Sequence, residues 1–267
     1  MRTVSWAAGG RFAAVALASA ALLSCAAAAD QRALQSPSQQ AADAPAPPDP
    51  SAQPGDILIH TGRVLADPAT GRVLAEQTIR VRGDRIVSIS SGYAPSPADA
   101  PAIDLREAFV LPGLIDSHVH LAQELTPDSR LNTFLKTRSD AAIDAAGFAR
   151  KTLEAGFTTV ADLGGPAESI LALRSGVERG VVPGPRILSA AGGVSVHGGH
   201  GDANGMPRDL ALVLRSPGVC SGPDDCARAV RERVRDGADI IKITATGGVL
   251  SQTAAGLNLQ FTEAELK

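Results

Sequence analysis

Two histidines two residues apart, His118 and His120, close the stretch that begins with the apolar run Phe109 to Ile115. Side chains alternate across a β-strand, so residues i and i+2 leave one face, and two imidazoles set that way can hold a metal ion between them. The same pair can also cap a strand end and make ordinary hydrogen bonds. Context separates the two readings. Leu111-Pro112-Gly113-Leu114-Ile115-Asp116 places the pair just past the C-terminal end of a buried strand, the edge at which barrel enzymes collect their catalytic groups.

Lys242 carries the second chemical signal. Within Ile240-Ile241-Lys242-Ile243 a charged, unpaired lysine is costly if the strand is buried on both faces. Burial lowers the ammonium pKa and frees a nucleophilic amine, which can take up carbon dioxide as a carbamate whose two oxygens bridge two cations. The ordinary alternative is a lysine at a strand end that reaches solvent or pairs with an acid. A third element is the loop Val196-His197-Gly198-Gly199-His200-Gly201-Asp202, where glycines let backbone approach a ligand closely. Such a loop can also be a flexible turn. Of the five histidines, four fall in these two places and His60 stands apart.

The elements that must position these groups follow from pattern. Ile57 to Leu65 and Thr78 to Ile89 alternate and are separated by a turn at Pro68 to Gly71, which predicts short antiparallel strands, with Ala102 to Leu105 as the last strand before the next unit. Past the histidine pair the pattern becomes strand and helix in turn, as a parallel sheet with right-handed crossovers requires. Helices are predicted over about 139–155, 167–179 and 223–236, and strands at Thr158 to Asp162, Pro185 to Ser189 and Asp239 to Thr244. With the strand before His118 that makes four barrel strands.

Val110 to Leu121, with its Leu-Pro-Gly-Leu-Ile-Asp-Ser-His-Val-His core, resembles the first barrel strand of the amidohydrolase superfamily. Lys242 to Val249 is similar to the carboxylated-lysine strand of its branch of imidazolonepropionase-like proteins and Xaa-Pro dipeptidases, and Gly198 to Asp202 resembles a loop of the same branch. The resemblance implies a TIM-like (β/α)8 metal-dependent hydrolase barrel, of which residues 109–267 would be the first half, preceded by a small N-terminal β-sandwich at 55–108. It implies His118, His120 and Lys242 as metal groups for a binuclear Zn2+ site with a carbamate on Lys242, and His200, with His197, as substrate-binding. The later ligands and the proton-shuttling aspartate would lie beyond Lys267. The implied reaction is hydrolysis of an amide bond in a small peptide, a dipeptide first, by metal-activated water. A cyclic amidase or lactone hydrolase of the imidazolonepropionase type is the alternative, and a non-catalytic envelope protein with a partial metal site is the reading from another class. The full-length form is expected to be a homo-oligomer.

Composition bounds the rest. In 267 residues, 44% hydrophobic, a formal net charge of −3 leaves no basic patch for nucleic acid. Arg2 and Arg11 precede the apolar stretch Phe12 to Leu23, too short for a membrane span, so 1–29 reads as an export signal. Ala27-Ala28-Ala29 suits cleavage before Asp30, while Leu22-Leu23-Ser24-Cys25 resembles a lipobox whose Cys25 would tie the protein to a membrane. Either implies a periplasmic, envelope-anchored or secreted protein. Residues 30–54, rich in Ala, Pro, Gln and Ser, read as a disordered linker. Cys220 and Cys226 can close a small loop in an oxidising compartment or remain two thiols, and with no further Cys or His beside them they lack the ligands for zinc.

Overall fold

A computed structural model of the protein describes residues 55–96, 102–248 and 256–267; the export signal, the linker and Val249 lie outside them. The chain first forms β1 (Asp56–Asp67), β2 (Arg72–Arg82), β3 (Arg85–Ser91) and β4 (Ile103–Val110). They make one sheet in the order β3-β2-β1-β4. β1, β2 and β3 are joined by tight turns and pair antiparallel, whereas β4 returns parallel to β1. Alternation sends Leu58 and Val64 inward. The buried Asp56 carboxylate accepts from Arg82 Nε at 2.7 Å and Nη2 at 3.0 Å.

Thr78 to Ile89 holds parts of two of the short antiparallel strands, since the chain turns at Gly83-Asp84 and its halves pair as β2 and β3. Two expectations for this unit change. A sandwich needs two facing sheets, and the described residues of this unit form a single one. Its boundary also moves: Phe109 and Val110 end β4, and the connector Leu111-Pro112-Gly113 follows, so the first barrel strand, β5 (Leu114–Val119), is shorter than the apolar run.

From β5 onward strands and helices alternate. α1 (Ser129–Leu135) and α2 (Arg138–Glu154) lead to β6 (Phe157–Asp162), and α3 (Ala167–Glu178) to β7 (Arg186–Ser189) and β8 (Gly193–Val196). Then come α4 (Arg208–Leu214), β9 (Val219–Cys220), α5 (Pro223–Asp236), β10 (Lys242–Ile243) and α6 (Glu263–Leu266). All pairs here are parallel, β5-β6-β7 in one run and β10-β8-β9 in the other. α2 starts on a capping box in which Thr137 Oγ1 accepts from the Asp140 N–H and the Asp140 carboxylate accepts from the Thr137 N–H. Its Ala141, Ala145 and Ala149 recur every four residues and are buried, so the helix lies close on the sheet. Leu121, Val160, Ile170, Leu173 and Ile187 complete that core.

The long loop expected after the third barrel strand is in part strand and helix. β7 and β8 are two pieces of one strand, bent where Ala191 and Gly192 take φ of 48° and 96°. Arg233 of α5 donates to the Ala191 carbonyl at this bend, and the Asp239 N–H donates to the Ser189 carbonyl at 2.8 Å. The bend lets one strand pair with β6 by its first half and with β10 by its second. Cys220 and Cys226 form a disulfide that ties β9 to α5 in a second core with Val194, Ala229 and Phe261.

Candidate active site

His118 is the fifth residue of β5 and His120 lies one residue past its end. Their rings stand 5.3 Å apart, centroid to centroid, nearly edge to face. Lys242, which opens β10, brings Nζ to 3.4 Å from His118 Nε2 across 124 residues of sequence. β5 and β10 lie in separate three-stranded runs, so the two side chains meet across the strand ends and not through strand pairing. Among the described residues no carboxylate pairs with Lys242.

The electrostatics follow from that juxtaposition. Burial, then the Lys242 ammonium, then His120 hold His118 below the usual histidine range. His120 is also lowered, by burial first; the Gly164 backbone opposes the shift and Lys242 adds to it. The two rings are therefore neutral at pH 7, the state that can ligate a metal. The environment of Lys242 differs from expectation. Its neighbours Ile241 and Ile243 are 38% and 40% exposed and Lys242 itself is half-buried, so β10 is not buried on both faces. The reason is geometric: β10 has one strand partner among the described residues.

His200 belongs to the same end of the sheet but reaches it by a different route. Its backbone N–H donates to Gln260 Oε1 at 2.9 Å, and its ring packs on Gly248, where any Cβ would stand 2.2 to 2.6 Å from ring atoms. His200 Nδ1 is buried and makes no hydrogen bond among the described residues. His197 is not brought to the pair. Its Nε2 is 2.9 Å from Arg215 Nη2, and Arg215 lies 3.5 Å from Asp202, whose other carboxylate oxygen accepts from the Gly198 N–H. His197 thus braces the loop that carries His200. A concavity of about 1030 Å³ lies elsewhere, lined by residues of α1, α2, α3, α5 and the turn after α4, and contains none of these histidines.

Sequence reasoning missed Asp162, which ends β6 and is 1% exposed. Its Oδ2 accepts from the Leu121 N–H at 2.7 Å and its Oδ1 from the Gly164 N–H at 3.2 Å. Burial raises its pKa to about 6 against those two bonds. An acid closing an apolar strand, Thr159-Val160-Ala161-Asp162, was the available signal.

As donors for a divalent cation, two neutral imidazoles and a lysine amine that no acid claims are a suitable set. They are an incomplete one: among the described residues no three His, Cys, Asp or Glu side chains come together. Parallel strands with helical crossovers and a histidine pair facing a lysine at the strand ends define part of a barrel-type α/β domain. The chain belongs to the amidohydrolase family, whose model matches residues 109–267. It is 28% identical over 234 residues to the ochratoxinase of Aspergillus niger, covering 79% of this chain and 46% of that protein. Among solved structures, a Xaa-Pro dipeptidase with methionine bound in its active site is 38% identical with a TM-score of 0.69, over 79% of this chain and 52% of that one. A prolidase complexed with N-methylphosphonate-L-proline is 33% identical with a TM-score of 0.64, over the same shares. The chain thus spans about half the length of these relatives.

Proposed function

We propose that this chain carries part of the active site of a divalent-metal-dependent amide hydrolase, with His118, His120 and Lys242 as metal groups and a dipeptide with C-terminal proline as the first substrate class. The approach of Lys242 Nζ to His118 Nε2 carries the reading, because an unpaired amine facing a neutral imidazole is an arrangement with a purpose in ligation and none in packing. The Xaa-Pro dipeptidase and prolidase likenesses support the substrate, and the amide-cleaving relatives support the bond class. A zinc pair held there supplies Lewis acidity toward the scissile carbonyl and toward attacking water. The residues do the rest. His118 and His120 stay neutral, and Lys242 would add to carbon dioxide with loss of its proton, forming an N–C bond and a carbamate. His200, with a free ring nitrogen, orients the substrate. Export through residues 1–29, with Cys25 as the lipidation point if the anchor is retained, belongs to the same reading.

The test is in two parts. In the 267-residue chain, bound Zn2+ is measured by elemental analysis and must depend on His118. In a protein of the relatives' full length that carries this chain, a panel of Xaa-Pro and other dipeptides reads hydrolysis. Metal binding indifferent to His118→Ala rejects the site, and turnover of amides other than dipeptides rejects the substrate.

A further inference from the structure

Asp162 does more than end a strand. Its two oxygens reach the two backbone segments that enclose His120: Oδ2 takes the N–H of Leu121, the residue after the histidine, and Oδ1 takes the N–H of Gly164, the residue against which the His120 ring lies. Gly164 can serve there only as glycine, since a Cβ would stand 2.9 Å from Cε1 and 3.0 Å from Nδ1 of that ring. The Nδ1–Cε1 edge of His120 therefore faces the Gly164 backbone. Two further bonds close the arrangement. The Leu163 N–H donates to the Val119 carbonyl at 3.0 Å and the Ala190 N–H to the Asp162 carbonyl at 2.9 Å. The ends of β5, β6 and β7 are thus laced through one buried residue, and the lacing converges on one imidazole.

We infer that Asp162 is a positioning residue for His120: by fixing both the backbone after the histidine and the glycine loop beside its ring, it selects one ring orientation and one neutral tautomer, with Nδ1–H toward Gly164 and Nε2 toward the metal side. This rests on the metal-site reading given above. A ligating histidine is held by the bond its other nitrogen makes, and removing such outer partners costs 10- to 100-fold in metal affinity. Here the outer partner is a backbone carbonyl, which cannot be mutated, and the carboxylate that fixes it can. Asp162→Asn keeps the size and one acceptor but turns its amide NH2 donor toward one of the two N–H groups. Asp162→Ala removes both acceptors.

The experiment is Zn2+ affinity of the 267-residue chain by competition with a chromophoric chelator, for wild type, Asp162→Asn, Asp162→Ala, His120→Ala and Leu173→Ala. Leu173 lies in the same core, so its truncation lowers stability without touching either carboxylate bond. The expected result is a 10- to 100-fold loss in Asp162→Ala, a smaller loss in Asp162→Asn, and wild-type affinity in Leu173→Ala at a temperature where every variant is folded by circular dichroism. Wild-type affinity in both Asp162 variants overturns the inference, and so does an equal loss in Leu173→Ala. If wild type binds no Zn2+ through His118, the metal reading fails, and ring-nitrogen chemical shifts of the metal-free protein then decide. A single Nδ1–H tautomer of His120 that becomes a mixture in Asp162→Asn sustains the positioning role, and an unchanged tautomer population removes it.

Discussion

At the scale of single residues, the candidate site is a problem of charge. Two imidazoles and an ammonium within a few ångströms repel unless protons leave, and the lowered pKa values of His118 and His120 record that repulsion together with burial. Protonating either ring therefore competes with any cation bound there. Zn2+ affinity is expected to hold from pH 8 to 7 and to fall only at a pH below the ordinary histidine range, as calorimetric titration down to pH 4 would read; affinity constant throughout would place the ligand role elsewhere. Asp162 makes a second pH prediction, on stability. Its folded pKa of about 6 lies above the ordinary aspartate value of 3.8, so between these values the native state holds the extra proton. Stability from this group is present below about pH 4 and lost as pH rises through 6, on the order of 3 kcal/mol at 1.36 kcal/mol per unit. Acids with lowered values, such as Asp104 beside Arg106, act oppositely, so the measurement is a difference. Relative to wild type, Asp162→Asn should gain stability between pH 4 and 7 in urea titrations, and a pH-independent difference would show that the burial is not what shifts the acid. The histidines and Lys242 were legible in the sequence because their chemistry is rare in apolar strands. Asp162 was not, because an aspartate ending a strand is common and only the tertiary fold reveals that its two oxygens hold the two segments around His120.

At the scale of elements, two ties of different kinds hold the parallel strands. On the side away from the site, Arg174 of α3 donates from Nη1 to the Gly237 carbonyl and to Asp239 Oδ2, which also accepts from the Ser189 N–H. Breaking a partly buried charged bond of this sort costs about 1–3 kcal/mol. Asp239→Ala should lower the unfolding midpoint by several degrees while leaving Zn2+ affinity unchanged, which separates structural carboxylates from Asp162 in one comparison. Near the site, the disulfide Cys220–Cys226 closes a short loop, and the Cys220 carbonyl accepts from the His197 N–H at 3.0 Å. Short loops stabilise through chain entropy by about 2 kcal/mol. Reduction is expected to lower the thermal midpoint and to raise hydrogen exchange at His197 before it does so in β1 to β4; uniform exchange along the chain would mean that the bridge braces nothing in particular. Helices at 138–154, 167–178 and 223–236 were readable because each has a clear start and a repeating apolar face. The bend at Ala191-Gly192 was not, since two small residues carry no periodicity and the bend is set by what β6 and β10 each need from one strand.

At the scale of the whole molecule, the parallel strands carry apolar surface that nothing among the described residues covers. Ile115 of β5 is 72% exposed, and Leu114, Ile241 and Ile243 are also open. Among the described residues β5 and β10 each have a single partner, so each presents a row of backbone donors and acceptors with no strand beside it there. Burying a fully exposed isoleucine or leucine side chain is worth about 1.5–3 kcal/mol, so covering the exposed parts of these side chains still favours association. The relatives, about twice as long as the matched region, have further sequence available to cover such a surface. The 267-residue chain by itself is therefore expected to self-associate and to bind a hydrophobic dye. Sedimentation velocity over a tenfold range of concentration, with and without Ile115→Thr and Ile243→Thr together, reads this directly. The double variant should shift the population toward monomer while keeping the circular dichroism of the parent. A chain that is monomeric at every concentration, with no dye bound, would show that the open faces are closed by residues outside the described set, and that the edges of β5 and β10 are not the adhesive ones.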